Sequence, residues 1–208
     1  MLTELNLKEF VDKVASDSPA PGGGSIAAVT AAQGIALTHM VTLLTIGKKK
    51  YEEHDNLMKE ISAEAKKLMN ELVEYVDKDT EAYNAVSAVF AMPKETDDEK
   101  AARSAAMQSA LKAATLVPFE VMSLATRAII ITEKAIGKSN INAVSDLGVA
   151  LLNINAGVNA AWLNVKINLS GIKDEDFVDE YMQKGGDFQD TSSIIATRAY
   201  KRILEAID

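Results

Sequence analysis

The sequence predicts an all-α protein, an elongated up-and-down helical bundle that forms a homodimer. Apolar residues recur at helical spacing almost throughout, and no stretch shows the alternation typical of a β-strand. Two long segments are nearly free of charge, which is typical of helices buried in a core. A third apolar pattern, from about Asp55 to Phe90, would form one helix about 54 Å long at 1.5 Å per residue. A globule of this size is only about 43 Å across, so the overhang favours a dimer.

The composition fits one domain spanning residues 1–208, without a linker or a low-complexity block. The net charge of −8 argues against nucleic-acid binding and against binding to membrane surfaces. With no cysteine and only two histidines, disulfides, thiolate chemistry and a His/Cys zinc site are excluded, and no metal site is expected. The first residues lack the pattern of a signal peptide, so we expect a cytoplasmic protein.

Apolar spacing and end signals place the helices in order. They are predicted at residues 7–14, from Ser25 to about 47, at 55–90, 96–137, 140–169 and 177–182, and in a final segment with Ile195, Ile203 and Ile207. Asn6 with Glu9 and Thr96 with Glu99 are typical helix starts. Pro118 predicts a kink within the fourth helix, and Gly185-Gly186-Asp187 predicts a break before the last one.

The most informative stretch begins with a glycine-rich loop and continues without charge to Gly47. The loop residues are Pro21, Gly22, Gly23, Gly24 and Ser25, and the stretch is followed by Lys48, Lys49 and Lys50. Glycines let backbone N–H groups approach a ligand, and Ser25 can cap a helix whose N-terminus favours anions. The pattern indicates a ligand site. The alternatives are a buried core helix after a flexible loop, and lysines that form a solvated helix cap.

Two carboxylates stand where the pattern expects an apolar or neutral residue. Asp79 lies on the apolar stripe between Val76 and Tyr83, and Asp146 is the single charged residue of the second charge-free segment. A lone carboxylate facing a core must be paired, hydrogen-bonded or shifted in pKa. Each is therefore either a structural anchor or an acid/base group. His39 is interpreted as a core histidine.

Common nucleotide, serine-hydrolase and zinc-protease motifs do not occur in the sequence. The second charge-free segment is instead rich in asparagine, including Asn142 and Asn164. Neutral amides suit recognition of a polar heterocycle, although hydrogen bonds between helices explain some of them equally well.

Six stretches, in order, carry a resemblance to a known family. They are Ser18 to Ser25, Leu44 to Tyr51, Asp79 to Tyr83, Met92-Pro93-Lys94 with Glu99-Lys100, Ser139 to Asn142 with Ser145-Asp146, and Asn164 to Leu169. Over roughly residues 5 to 177 the chain resembles the cyclodeaminase/cyclohydrolase family of folate enzymes. His39 stands where that family has a serine, and Gly185-Gly186 interrupts what is there a continuous helix.

The resemblance implies a folate substrate and no cofactor beyond it. Asp79 is the expected general base and Asp146 its partner or a pterin ligand, while Asn140, Asn142 and Asn164 are expected to bind substrate. The tri-lysine segment, Lys48 to Lys50, would hold the anionic glutamate tail and the glycine loop a polar edge of the ligand. The enzyme hypothesis expects the loop, the lysines and Asp79 to meet in one cleft.

The expected reaction is hydrolysis of 5,10-methenyltetrahydrofolate to 10-formyltetrahydrofolate. The alternative implied by the same resemblance is a formiminotetrahydrofolate cyclodeaminase, which forms 5,10-methenyltetrahydrofolate and ammonia. A third possibility is a helical dimer that binds folate or a partner protein without catalysis, in which the three features are free to lie apart.

Overall fold

The computed structural model describes residues 1–207, and these fold into helices without a β-strand. Six α-helices follow in order: α1 Leu7–Val14, α2 Gly23–Leu43, α3 Asp55–Phe90, α4 Asp97–Ala135, α5 Val144–Leu169 and α6 Glu175–Ile207. Short 3-10 turns occupy Leu2–Glu4, Lys49–His54 and Ile141–Ala143. The predicted all-α class is confirmed.

Local sequence sets the starts of α1 and α4. The Glu9 N–H donates to the Asn6 side chain at 3.0 Å, and the Asn6 N–H donates to the Glu9 carboxylate at 3.2 Å. Thr96 and Glu99 form the same reciprocal capping box at α4. Helix α4 then runs through Pro118 without interruption. The predicted helix starts at Asn6 and at Thr96 are both confirmed.

Ser25 does not cap α2 as predicted. The N-cap position is Gly22, which has no side chain to offer, and the Ser25 hydroxyl donates to the Val76 carbonyl of α3 at 2.8 Å. Ser25 lies in the first turn of α2, where its side chain faces the neighbouring helix. The hydroxyl therefore joins two helices instead of closing one.

The predicted break at Gly185-Gly186 is wrong, because α6 is continuous from Glu175 to Ile207. A Cβ on Gly185 would overlap the Trp162 ring of α5, with Cε3 only 2.8 Å away. Glycine at this position permits close packing of two helices, and the chain does not turn there. The sequence signal was real, but its cause is packing.

Helices α2 and α5 form the antiparallel centre of the bundle. A Cβ on Gly34 would lie 2.7 Å from Ile154, and one on Gly157 would lie 2.8 Å from Ala31, so the two backbones approach closely. Helix α3 packs against α2, and α4 packs against α5. Small residues on both central helices permit this spacing.

By length and composition, three helical segments are apolar enough to cross a membrane: Gly23–Leu43, Asp97–Ala135 and Ile141–Leu169. Their most apolar windows are 50%, 61% and 44% buried in the bundle. Packing among the helices thus accounts for only part of this apolar surface, and α2 and α5 each keep an exposed face.

Candidate active site

The carboxylate of Asp79, on α3, meets the first turn of α2. Its Oδ2 accepts the Ser25 backbone N–H at 2.8 Å and lies 3.1 Å from the Ser25 hydroxyl. Free N–H groups and the helix dipole at an N-terminus stabilise a negative charge. Here that charge comes from the protein itself. Within residues 1–207 the N–H groups of Gly23 and Gly24 make no hydrogen bond, so they remain available to a ligand.

Burial raises the pKa of Asp79, and the two hydrogen bonds from Ser25 oppose that rise. A carboxylate with a raised pKa is a better proton acceptor in its ionised form than an exposed aspartate is. The apolar stripe leaves the core at this point: beyond Val76, only Val89 among the α3 residues is buried. Asp79 is therefore half-buried at the wall of a cleft.

Only glycine fits at position 24. A Cβ there would overlap Asp79 Oδ1 and lie 2.8 Å from Oδ2. A Cβ on Gly23 would lie 3.2 Å from the Asn164 amide of α5. The loop is thus pressed between α3 and α5, and its backbone is brought beside both side chains.

A cavity of about 290 Å³ opens at this junction. The loop lines one side with Gly22 to Gly24, and α3 contributes Asp79, Ala82, Tyr83 and Val86. Opposite them lie Ala114 of α4 and Asn164, Ile167 and Asn168 of α5. Few polar groups on largely apolar walls are typical of small-molecule sites. Pro21 is buried beneath the loop and does not line the cavity.

Tyr83 and Asn168 also line the cavity, and neither is among the site residues predicted from the sequence. Asn168 donates its side-chain N–H to the Ala114 carbonyl at 2.9 Å, and Asn164 donates to the Ala160 carbonyl at 2.9 Å. Both bonds use the side-chain nitrogen, so the side-chain oxygen of each asparagine takes no part in them. Both residues belong to stretches that carry the family resemblance, and that resemblance is the signal by which the sequence could have indicated them.

The other predicted site residues lie at the far end of the bundle. The Asn140 N–H donates to Thr45 Oγ1 at 2.9 Å and its side chain donates to the Leu44 carbonyl at 3.2 Å, which ties the start of α5 to the end of α2. Asn142 donates its backbone N–H to the Asn140 side chain, and Asp146 lies half-buried in the first turn of α5.

Lys48, Lys49 and Lys50 are exposed at that same end. Helix α2 has 21 residues and is about 30 Å long at 1.5 Å per residue. Within one chain the lysines therefore do not share a cleft with Asp79, contrary to the expectation of convergence. His39, near the middle of α2, is half-buried, and its Nδ1 lies 3.1 Å from Ser62 Oγ, so the ring has a hydrogen-bond partner.

No group of three or more His, Cys, Asp or Glu side chains suited to a metal ion occurs in residues 1–207. The polar side chains that line the cavity at Asp79 belong to Asp79, Tyr83, Asn164 and Asn168.

Comparisons with known proteins agree on one family. Residues 6–185 match the family described as formiminotransferase-cyclodeaminase. The chain belongs to this family. The match includes the glycine loop, Asp79 and Asn164, and stops within α6.

Within the formiminotransferase-cyclodeaminase family, the chain is similar to proteins with two different names. It is 42% identical to a methenyltetrahydrofolate cyclohydrolase of Methylorubrum extorquens, over 86% of each chain. It is 37% identical to a formimidoyltransferase-cyclodeaminase of Gallus gallus, over 85% of this chain but only 33% of that protein. The solved structure of a formiminotetrahydrofolate cyclodeaminase from Thermotoga maritima matches over the whole of both chains, with a TM-score of 0.90 and 29% identity.

Proposed function

We propose that this protein is a folate enzyme that hydrolyses 5,10-methenyltetrahydrofolate to 10-formyltetrahydrofolate, with Asp79 as the general base. The observation that carries the proposal is the half-buried Asp79 carboxylate at the start of α2, beside the glycine loop and Asn164. The relative of matching length with 42% identity bears the cyclohydrolase name. The reaction needs no cofactor beyond the folate, and we assign the enzyme to the cytoplasm.

The geometry suits the charge of this substrate. The 5,10-methenyl bridge is a cationic N–C–N unit, and a carboxylate beside it stabilises the cation in a cavity of low polarity. Asp79 takes a proton from water as the water oxygen attacks the bridging carbon. The bond from that carbon to N5 then breaks as Asp79 gives its proton to N5, and the remaining hydroxyl proton is released to solvent as the formyl C=O forms. The formyl group stays on N10.

The free N–H groups of Gly23 and Gly24 would bind a polar edge of the folate, while Asn164 and Asn168 would bind the pterin ring by hydrogen bonds. The side chains of Tyr83, Val86 and Ile167 form the apolar part of the cavity wall. These contacts orient the bridging carbon toward Asp79, and orientation is a large part of catalysis in such sites.

A second candidate reaction is favoured by the structural neighbour named formiminotetrahydrofolate cyclodeaminase. There N10 attacks the formimino carbon, and ammonia leaves. The same carboxylate would accept the proton from N10 and return it to the leaving nitrogen, so both reactions use one base.

Absorbance assays of the purified protein with 5,10-methenyltetrahydrofolate and with 5-formiminotetrahydrofolate distinguish the two reactions. Loss of the methenyl absorbance with the first substrate supports the cyclohydrolase. Gain of that absorbance with the second supports the cyclodeaminase. Turnover of neither substrate, together with folate binding, would support the non-catalytic alternative.

The proposal also takes the up-and-down bundle to be an elongated homodimer. The support is an uncharged stripe along α5, where Val149, Leu152, Leu163 and Ile167 are 46%, 51%, 64% and 69% exposed. The neighbouring α2 carries no charged side chain along its whole length. Apolar faces of this kind mark interaction sites, and two copies can bury them without burying a charge. We take these faces as dimer contacts and not as membrane spans.

A two-fold axis across the middle of α5 would set the two copies of this helix antiparallel. The end of one protomer that carries Asp79 would then lie near the partner's tri-lysine segment, Asn142 and Asp146. In this arrangement the lysines attract an anionic folate toward the partner's cavity through their charge. The predicted contributions of the lysines, Asn142 and Asp146 are thus retained as contributions across the interface.

A further inference from the structure

A second cavity, also of about 290 Å³, lies between the end of α3, the first part of α4 and the turn after α5. Its wall carries four cationic side chains and no carboxylate: Lys94, Lys100, Arg103 and Lys173. We call it the basic pocket. The chain as a whole has a net charge of −8, so this cluster of positive charge contrasts with the rest of the protein.

The basic pocket lies next to the cavity at Asp79 along the chain's helices. On α3, Phe90 of the basic pocket is one turn beyond Val86, which lines the Asp79 cavity. After α5, Lys173 follows five residues beyond Asn168, another residue of the Asp79 cavity. The rise from Asp79 to Phe90 is about 16 Å at 1.5 Å per residue. That span suits the extended p-aminobenzoylglutamate part of a folate.

The walls of the basic pocket are held in place by defined contacts. Gln108 of α4 accepts the Lys173 N–H at 2.7 Å and donates to the Gly171 carbonyl at 2.9 Å, which fastens the turn between α5 and α6 to α4. Arg103 donates to the Val89 carbonyl at 3.2 Å, and its guanidinium lies 5.9 Å from the centre of the Phe90 ring. The pocket therefore exists before any ligand arrives.

Nearby acidic side chains do not neutralise the pocket. The Glu99 carboxylate is engaged by the N–H groups of Glu95 and Thr96 at 2.8 and 2.9 Å. Asp97 pairs with Lys100 at 3.0 Å, but this aspartate is 98% exposed. Exposed pairs of this kind contribute little and exchange readily for another anion. Lys94 has no ion pair within residues 1–207.

We propose that the basic pocket binds the glutamate carboxylates of a folate whose one-carbon unit lies at Asp79. The inference rests on the proposed function and assigns the glutamate tail to the same chain as the catalytic base. Arginine and lysine are the side chains best suited to carboxylates. It also gives a role to Lys94 and Lys100, which belong to one of the resemblance stretches that the cavity at Asp79 does not use.

The test compares monoglutamate and triglutamate forms of 5,10-methenyltetrahydrofolate. In the double variant Lys100→Ala/Lys173→Ala, KM for the triglutamate should rise about tenfold, which corresponds to about 1.4 kcal/mol. KM for the monoglutamate should rise less, so the preference for the longer tail shrinks. The loss should appear in KM more than in kcat, because the tail is remote from the reacting carbon. The control variant Lys66→Ala/Lys67→Ala removes two exposed lysines of α3 that do not line the basic pocket. It should leave both KM values unchanged.

An unchanged KM for the triglutamate in Lys100→Ala/Lys173→Ala would overturn the proposal. A preference lost only in Lys48→Ala/Lys49→Ala/Lys50→Ala would assign the tail to the partner's tri-lysine segment and would overturn it as well. Failure of the proposed reaction would appear separately, as no turnover by the unaltered protein. In that case calorimetry measures the Kd of tetrahydrofolate monoglutamate and triglutamate for the same variants. The Kd then takes the place of KM in deciding whether the basic pocket binds the glutamate tail.

Discussion

Asp79 Oδ2 accepts the backbone N–H of Ser25 at 2.8 Å, so a carboxylate from α3 occupies the N-terminus of α2. Burial and hydrogen bonding act in opposite directions on this group: burial raises the pKa, whereas the Ser25 contacts lower it, and burial dominates. The same contact joins two helices at the cavity. Asp79 therefore has both a structural and a proposed chemical role, and experiments can separate the two.

Replacement Asp79→Asn should reduce kcat on the order of 10²-fold or more, because the amide cannot accept the proton. The Asn side-chain oxygen can still accept the Ser25 N–H, so the fold and folate binding should survive. Steady-state kinetics and thermal unfolding measure the two effects. Near-normal turnover with a markedly lower Tm would instead make Asp79 a structural anchor, and Asp146, reaching across the proposed dimer interface, would become the leading base candidate.

A second prediction concerns how the free energy of unfolding depends on pH, and it rests on the raised pKa of Asp79. Between the ordinary aspartate pKa and the raised one, the folded state binds more protons than the unfolded state, so stability falls as pH rises through that window. Relative to Asp79→Asn, the unaltered protein should gain stability on acidification from neutral pH toward about pH 4. Urea unfolding of both proteins across this range measures the difference. Parallel stability curves would contradict the prediction.

Replacement Gly24→Ala should displace the Asp79 carboxylate, because the new Cβ would overlap Oδ1. We expect turnover to fall on the order of 10²-fold, since small displacements of a catalytic group are costly. The matched variant is Gly22→Ala, whose Cβ would lie 3.5 Å from the nearest atom, the Pro19 carbonyl oxygen. It should lose far less activity. Equal losses would mean that the loop conformation matters more than the contact with Asp79.

Two adjacent glycines of α6 should respond in opposite directions to alanine. Gly185→Ala should destabilise the protein by about 1–3 kcal/mol, because the Cβ overlaps the Trp162 ring. Gly186→Ala meets no atom within 4 Å and should stabilise the helix by roughly 0.5–1 kcal/mol. Urea unfolding of both variants provides the measurement. A similar effect of both would refute close packing as the reason for Gly185.

Replacement Leu163→Asp should dissociate the proposed dimer, because it introduces a charge into the uncharged stripe on α5. Light scattering at micromolar concentration should change from dimer to monomer mass. Turnover should fall with the dimer if the partner's lysines attract the substrate. Leu204→Asp is the control, since Leu204 is another exposed leucine, 46% exposed, on α6. A monomeric unaltered protein would rule the dimer out.

Signals within short stretches of sequence are enough to predict most of the helices and to single out Asp79. Periodicity and capping are local: Asn6 bonds to Glu9, and Thr96 to Glu99, across three residues of the same chain segment. Asp79 is recognisable because its charge interrupts an apolar stripe. This interruption can be seen in the sequence without knowing the tertiary structure. The glycine loop stood out for a similar reason, although the sequence did not show that one of its N–H groups binds Asp79.

Which distant residues come into contact depends on how the helices pack. The tertiary structure placed Asp79 beside Gly24, moved the lysines about 30 Å away at the far end of α2, and collected Lys94, Arg103 and Lys173 from separate elements into one pocket. It also showed that Gly185 is a packing contact with Trp162 in an unbroken helix. The physical reason is that helix formation depends on neighbours three or four residues apart, whereas a site depends on which helix ends are brought together by packing of their apolar faces.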